Sequence, residues 1–277
     1  MNIKSITMKR KVIARIIIAF IYVVSASLVH AHETWIRPSD YQVEKGVPIA
    51  LDIRNGQDFE GVSLPWLDGW FHRFTANEGK IERPLTGRNG DLPAATIRPM
   101  RDGLMIIALE TKPDILVYEE WQKFKLFVTE KGYPEAIQQH IDRGLPHSNF
   151  SESFTRHIKT LIAIGDGQGS DRSLGLKHEF ILHNNPYQLG DNNEIQAELR
   201  FDNQPRIGAL VTIFSYDQNA AMQEVQYRTD ENGLISFRLR PNTEYLLDSV
   251  WLSPAPRGSL NAWRTNWAAL SFKTPPK

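Results

Sequence analysis

Eight histidines and no cysteine set the metal chemistry open to this 277-residue chain. Without thiolates, a metal must be held by imidazole, carboxylate or backbone nitrogen, and neutral imidazole suits zinc, copper and nickel. His32 stands apart from the other histidines by its position. It lies in the stretch Val29-His30-Ala31-His32-Glu33-Thr34-Trp35-Ile36-Arg37-Pro38, where an export signal would end and folded chain begin. Ahead of it come Lys4, Lys9, Arg10, Lys11 and Arg15 with no acid, then the uncharged run from Ile16 to Val29. That run is too short for a membrane span of roughly 20 residues and matches a signal core of about 7–15. Val29 and Ala31 are the small residues a signal peptidase needs at −3 and −1. Cleavage after Ala31 makes His32 the first residue, with its α-amine and imidazole side by side. That pair chelates nickel, cobalt or copper, and Glu33 adds a carboxylate oxygen. Two alternatives remain: cleavage after Ala26, which takes the amine away from His32, and retention of the segment as an uncleaved anchor.

The other candidates are weaker. His72, among Trp70, Phe71, Arg73 and Phe74, reads as a packed core histidine. His178 and His183 are five apart, so on one strand they face opposite ways and cannot chelate together. His140, His147 and His157 lie in or beside a helical stretch, and one of them supplies a second ligand only if that stretch folds over the N-terminus. There is no His-Glu-x-x-His and no Gly-x-Ser-x-Gly, and Asp114, Glu119 and Glu120 read as solvated carboxylates. The chain is therefore not expected to be an enzyme. The stretch from Gly165 to Asp171 lacks the Lys-Ser/Thr of a phosphate loop and the distal Glu of a calcium loop; a flexible inter-domain loop is expected. Trp263 and Trp267, four apart, stack on sugar rings or pack in a core.

The elements that position these residues are mostly strands. Ile49, Leu51 and Ile53 alternate with polar residues, as do Ile195, Ala197, Leu199 and Phe201. Trp70, His72 and Phe74 are expected to share one face of a further strand. Leu104 to Leu109 is a short buried run, and Lys159 to Ile164 reads as another strand. Val225 to Thr229 and Ile235 to Leu239, joined by Asp230-Glu231-Asn232-Gly233, predict a β-hairpin. Helical spacing of Trp121, Phe124, Phe127 and Val128 predicts a helix ended by Gly132, and a second helix starts at Pro134. Asn149-x-x-Glu152 resembles a capping box for a third helical turn reaching about His157.

With 31 residues removed, 246 remain, enough for two domains. Five of the 32 basic residues and none of the 32 acids lie in the signal, so 27 basic residues face 32 acids, a net charge of −5. A negative chain with no basic tract is a poor nucleic-acid binder. The absence of cysteine excludes disulfides and lipoprotein attachment.

Several series of residues together resemble one family. They are His32, Trp35 and Pro38; Lys123 to Gly132; Gly175, Leu176, Glu179, Asn185, Pro186 and Tyr187; Gly208, Ala209, Val211, Thr229, Asp230 and Gly233; and Trp263, Trp267, Ala268, Leu270 and Phe272. Their order is similar to that of the exported domain-of-unknown-function family 4198, often labelled the periplasmic component of a cobalt/nickel transport system. Strand spacing predicts a mostly β protein of two immunoglobulin-like β-sandwich domains, and the resemblance implies that the second half is transthyretin-like or carboxypeptidase-regulatory-like. The first domain, 32–170, carries a helical insert at about 119–157, and the second is 171–277. The resemblance further implies a periplasmic metal-binding or metal-delivery protein for nickel or cobalt, with His32 as a ligand and a membrane metal importer as partner. Where the family pattern carries a histidine, this chain has Trp251. The alternative is a non-metal exported interaction module that binds carbohydrate or a surface protein.

Overall fold

The computed structural model describes residues 32–57, 59–188, 193–217 and 221–276. The expected signal segment, 1–31, lies outside them. Three sheets account for the strands, and the middle one draws on both halves of the chain. Its order is β15 (Gln223–Arg228), β14 (Leu210–Tyr216), β17 (Glu244–Pro254), β18 (Trp263–Lys273), β10 (Phe150–Ile164), β8 (Gly103–Thr111), β5 (Phe71–Glu78) and β6 (Ile81–Pro84). The short β2 (Gln42–Val43) and β9 (Asp114–Tyr118) also pair with β10. One four-stranded sheet holds β1 (Glu33–Pro38), β3 (Ile49–Gln57), β4 (Glu60–Leu64) and β7 (Ala95–Ile97); the other holds β11 (His178–Leu182), β12 (Glu194–Phe201), β13 (Gln204–Pro205) and β16 (Leu234–Arg238).

Strand alternation explains why the central strands are apolar on both sides. In β8, Met105, Ile107 and Leu109 join a core with Ile36, Ile49, Leu51 and Ile53 of the first small sheet. Leu104 and Ile106 point the other way, into a core with Phe180, Ile195, Ala197 and Leu199 of the second. Likewise in β10, Ile158, Ile162 and Ile164 face one small sheet while Leu161 and Ala163 face the other. A strand covered on both faces reads as a continuous apolar run, which is what Leu104 to Leu109 shows. Each fully buried aliphatic or aromatic side chain stabilises the fold by about 1.5–3 kcal/mol before entropy is counted.

The seam between the halves is the parallel pairing of β10 with β18, from Glu152 opposite Trp263 to Thr160 opposite Ser271. The expected boundary between 170 and 171 lies inside one compact unit that runs from Ala31 to Lys277. The loop there is not a loose linker. Asn185 Nδ2 donates to the carbonyls of Gly167 and Gly169, and Asp171 is buried against Lys159 at 2.7 Å. The mostly β class with a short helical insert is observed.

The insert is shorter than expected. It holds α1 (Trp121–Glu130) and α2 (Glu135–Asp142). α1 ends in a left-handed turn, with Tyr133 N–H donating to Val128 O, Gly132 N–H to Thr129 O, and Gly132 at φ 84°. Such a turn favours glycine because it carries no Cβ. The expected third helical turn at Asn149 is instead the start of β10. Glu152 does not cap; it is buried and accepts from Tyr118 Oη and Thr265 Oγ1 at 3.0 Å each. Tertiary hydrogen bonds override the local signal there.

Two further expectations change. The stretch 223–238 is not a hairpin, because β15 pairs with β14 in the central sheet while β16 pairs with β12 in the second small sheet. Asp230 makes the crossing, its Oδ1 accepting the N–H groups of Asn232 and Leu234 at 2.8 Å. In β5, a register shift between Phe71 and Arg73 breaks the alternation, so His72 is exposed while Phe74 is buried. His72 is therefore not a core histidine. Among the described residues, no helix is long and apolar enough to cross a membrane.

Candidate functional site

β1 lies along the edge of its sheet, paired with β3 from Glu33 opposite Gly56 to Pro38 opposite Leu51. Its inner face is pinned to the central sheet. Ile36 O accepts from Thr160 Oγ1 at 3.1 Å and Ser271 Oγ at 2.8 Å, and Arg37 pairs with Glu244 at 2.7 Å. At the head of the strand a buried ion cluster takes over. The turn that closes α1 aims Lys131 inward, where its Nζ sits 2.7 Å from Glu33 Oε1 and 2.9 Å from Asp248 Oδ2. The same ammonium lies 4.9 Å from the ring centre of Trp267, and the Arg156 guanidinium lies 5.0 Å from it. Phe127 stacks on that ring at 5.8 Å. Strand head, helix end and central sheet thus meet around one tryptophan flanked by two cations.

The electrostatics follow from burial. Burial raises the Glu33 carboxyl from 4.5 to about 6, even though Lys131 opposes the rise. Burial works to lower the Lys131 ammonium, but Asp248 and Glu33 outweigh it and the net shift is upward. Arg156 is lowered to about 10 by burial and stays charged at neutral pH. Glu33 Oε2 is buried without a hydrogen-bond partner.

His32 lies on the rim of this cluster. Its carbonyl accepts from Arg156 Nη1 at 3.2 Å, and the residue is exposed while Glu33, Thr34, Trp35 and Ile36 are buried. Among the described residues, no group of three or more His, Asp or Glu side chains converges as a metal cage. The histidines of the insert are engaged elsewhere. His140 is fully buried and committed at both ring nitrogens: Trp263 Nε1 donates to Nδ1 at 3.0 Å, and Nε2 donates to Pro146 O at 2.9 Å. His147 stacks on Trp121 at 4.5 Å. Trp263 and Trp267 are core residues, 1% and 5% exposed.

A second polar cluster, on the opposite face of the central sheet, was not legible in the sequence. His157 Nε2 lies 3.2 Å from Asn266 Oδ1, and His178 Nδ1 donates to Asn266 O at 2.9 Å. One residue thus bridges two buried rings. Burial lowers them from 6.5 to about 4 and about 3, so both are neutral. Phe201 meets His178 edge-on at 5.7 Å and stacks on Trp251 at 4.1 Å. The indole at 251 is held in an aromatic stack, with Arg264 5.4 Å from its ring, and it brings no ligand atom. His183 is separate and bonded to Glu198 at 3.0 Å. The bridge by Asn266 depends on the pairing of β10 with β18 and on the packing of β11 against β18, which no local pattern announces.

A family model described as "Domain of unknown function (DUF4198)" matches residues 29–252. No curated protein matches the chain. Among solved structures, a tetra-tandem repeat in the extending region of a large adhesion protein is similar over 87% of this chain. The identity is 8% and the TM-score 0.19, and this chain spans 49% of that one. At that score the likeness carries no argument.

Proposed function

We propose the following for this chain, which belongs to the DUF4198 family of domains of unknown function: it is exported to the periplasm, binds a nickel, cobalt or copper ion at His32, and delivers that ion to a membrane importer. The observation that carries the reading is the contrast across one peptide bond. His32 is exposed, while Glu33 beside it is buried and ion-paired. After cleavage at Ala31, the α-amine and imidazole would be displayed together at the surface on a strand fixed from below. A two-donor chelate leaves coordination positions open, which suits handing an ion on rather than enclosing it.

The test is intact mass spectrometry of the protein recovered from the periplasm, denatured and native, followed by metal titration. The expected result is a chain that begins at His32, takes up one ion, and loses it in the His32→Ala variant. A chain that begins elsewhere, or a titration indifferent to His32→Ala, overturns the reading.

One observation favours the second reading, an exported module that captures a surface protein. β9 pairs only with β10 among the described strands. Its Ile115, Leu116 and Val117 are 61%, 38% and 51% exposed. An open apolar edge can accept an added strand. Loss of partner capture in Val117→Lys, with metal uptake unchanged, would favour that module.

A further inference from the structure

The connection between β17 and β18 forms one wall of a cleft of about 480 Å³, and the segment that follows α2 forms the other. That volume is within the range of small-ligand sites. The loop wall is stapled rather than loose. Ala255 N–H donates to Ala262 O at its base, and Ser259 N–H to Pro256 O near its tip. Two bonds then tie it to β10: Ala262 N–H to Ser151 O at 2.7 Å, and Ser151 Oγ to Asn261 Oδ1 at 2.8 Å.

The charges in the lining are of one sign. Arg143 enters from the end of α2 and Arg257 from the loop, and no Asp or Glu lines the cleft. Arg143 is held in place: its Nη2 donates to Ala262 O at 2.9 Å, and its guanidinium lies 5.0 Å from the ring centre of Trp263. A guanidinium fixed on an aromatic face keeps its other N–H groups free to recognise an anion, and its planar fork matches a carboxylate or phosphate. The rest of the lining includes Leu145, Phe150, Pro254 and Leu260. Leu260 is 99% exposed, an apolar side chain at the lip with nothing over it.

We propose that this cleft binds a small organic anion, a carboxylate or phosphate on a short apolar body. The head group is met by Arg143 and Arg257, and the body rests against Leu260 and Leu145. The site is independent of His32 and of the metal reading.

Isothermal titration of the purified protein with benzoate, phenyl phosphate and neutral benzamide tests it. At least one of the two anions is expected to bind saturably at one site, with benzamide roughly tenfold weaker, the loss expected for one charge-assisted hydrogen bond. Arg257→Gln, on an exposed loop residue, should weaken the anion by a similar factor. Leu260→Ser should weaken benzoate or phenyl phosphate while leaving the fold intact. The anion that binds more tightly identifies the head group. Absence of saturable binding by both anions, benzamide binding as well as the anions, or indifference to the Arg257→Gln and Arg143→Gln pair overturns the proposal.

Discussion

Replacing Lys131 by methionine should cost more at pH 8 than at pH 5, and the difference follows from the buried cluster at the head of β1. The ammonium sits 2.7 Å from Glu33 and 2.9 Å from Asp248, and the three side chains are 9%, 6% and 2% exposed. Without it, two buried carboxylates face each other with no counter-charge. Breaking a buried pair from one side costs about 3–5 kcal/mol. For a unit of this size 1 kcal/mol is about 2–4 °C, so the melting midpoint should drop by about 6–20 °C. The pH dependence has a definite sign. The folded-state pKa of Glu33 is already about 6, above its ordinary 4.5, so its protonated form suits the fold. The associated stability is complete below 4.5 and is lost as pH rises through 6. Loss of Lys131 raises that folded value further and extends the loss to higher pH. Removing all the charges with Glu33→Gln, Lys131→Met and Asp248→Asn together should restore most of the stability, because the desolvation cost disappears with them. Denaturant melts of parent, single and triple variants at the two pH values decide the matter. A single-variant loss under about 1 kcal/mol at pH 8, or the same loss at both pH values, refutes the reasoning.

Other outcomes follow from the same physics. His157 and His178, held neutral down to about 4 and 3, favour unfolding as pH falls below 6.5. Glu33 and Glu152, raised to about 6 and 7, act oppositely above 4.5. Stability from denaturant titrations should therefore change little between pH 4.5 and 6, then fall below 4.5 by about 1.4 kcal/mol per unit for each histidine until the pH passes its folded value, about 4 for His157 and about 3 for His178; a rise in stability as pH falls from 7 to 4.5, the two glutamates acting unopposed, would show the rings are not held neutral. Gly56→Ala should destabilise by about 3 kcal/mol or more, since an added Cβ would stand 1.9 Å from Glu60 O; a melt within 1 °C of the parent would show that β3 and β4 can part freely. Trp263→Phe removes the donor to His140 Nδ1 and should cost about 1–3 kcal/mol; in the double variant with His140→Phe, the two losses should add to less than their sum if the bond matters.

The sequence carried the local elements well and their assembly poorly. The alternation in 49–53 and 195–201, the apolar run 104–109 and the helix ending at Gly132 follow from side-chain period and glycine's freedom, which are local properties. Asn149-x-x-Glu152 misled because a buried glutamate between Tyr118 and Thr265 has the same spacing as a cap. The Asp230–Gly233 turn misled because a turn fixes the direction of the chain and not the sheet its exit strand joins. At the candidate site, His32 was found from the cleavage pattern alone. Lys131, Asp248, Arg156 and Trp267 were not associated with it, since they come from four elements brought together only by the packing of the insert on the central sheet. The Asn266 bridge was hidden for the same reason.

The parallel pairing of β10 with β18 also constrains the order in which the chain can finish folding. Thr160 and Ser271 are 111 residues apart, yet their hydroxyls meet at 2.8 Å in the middle of the molecule. A chain emerging N-terminus first holds no complete central sheet until β18 arrives, because β18 lies between β10 and β17. Pairing over such separations is slow to form, and both cores wait for it. A chain cut before Trp263 would lose its middle strand rather than an edge, and should yield an aggregating, protease-sensitive product instead of a folded first half; recovery of a stable fragment would show that residues 32–170 can stand alone.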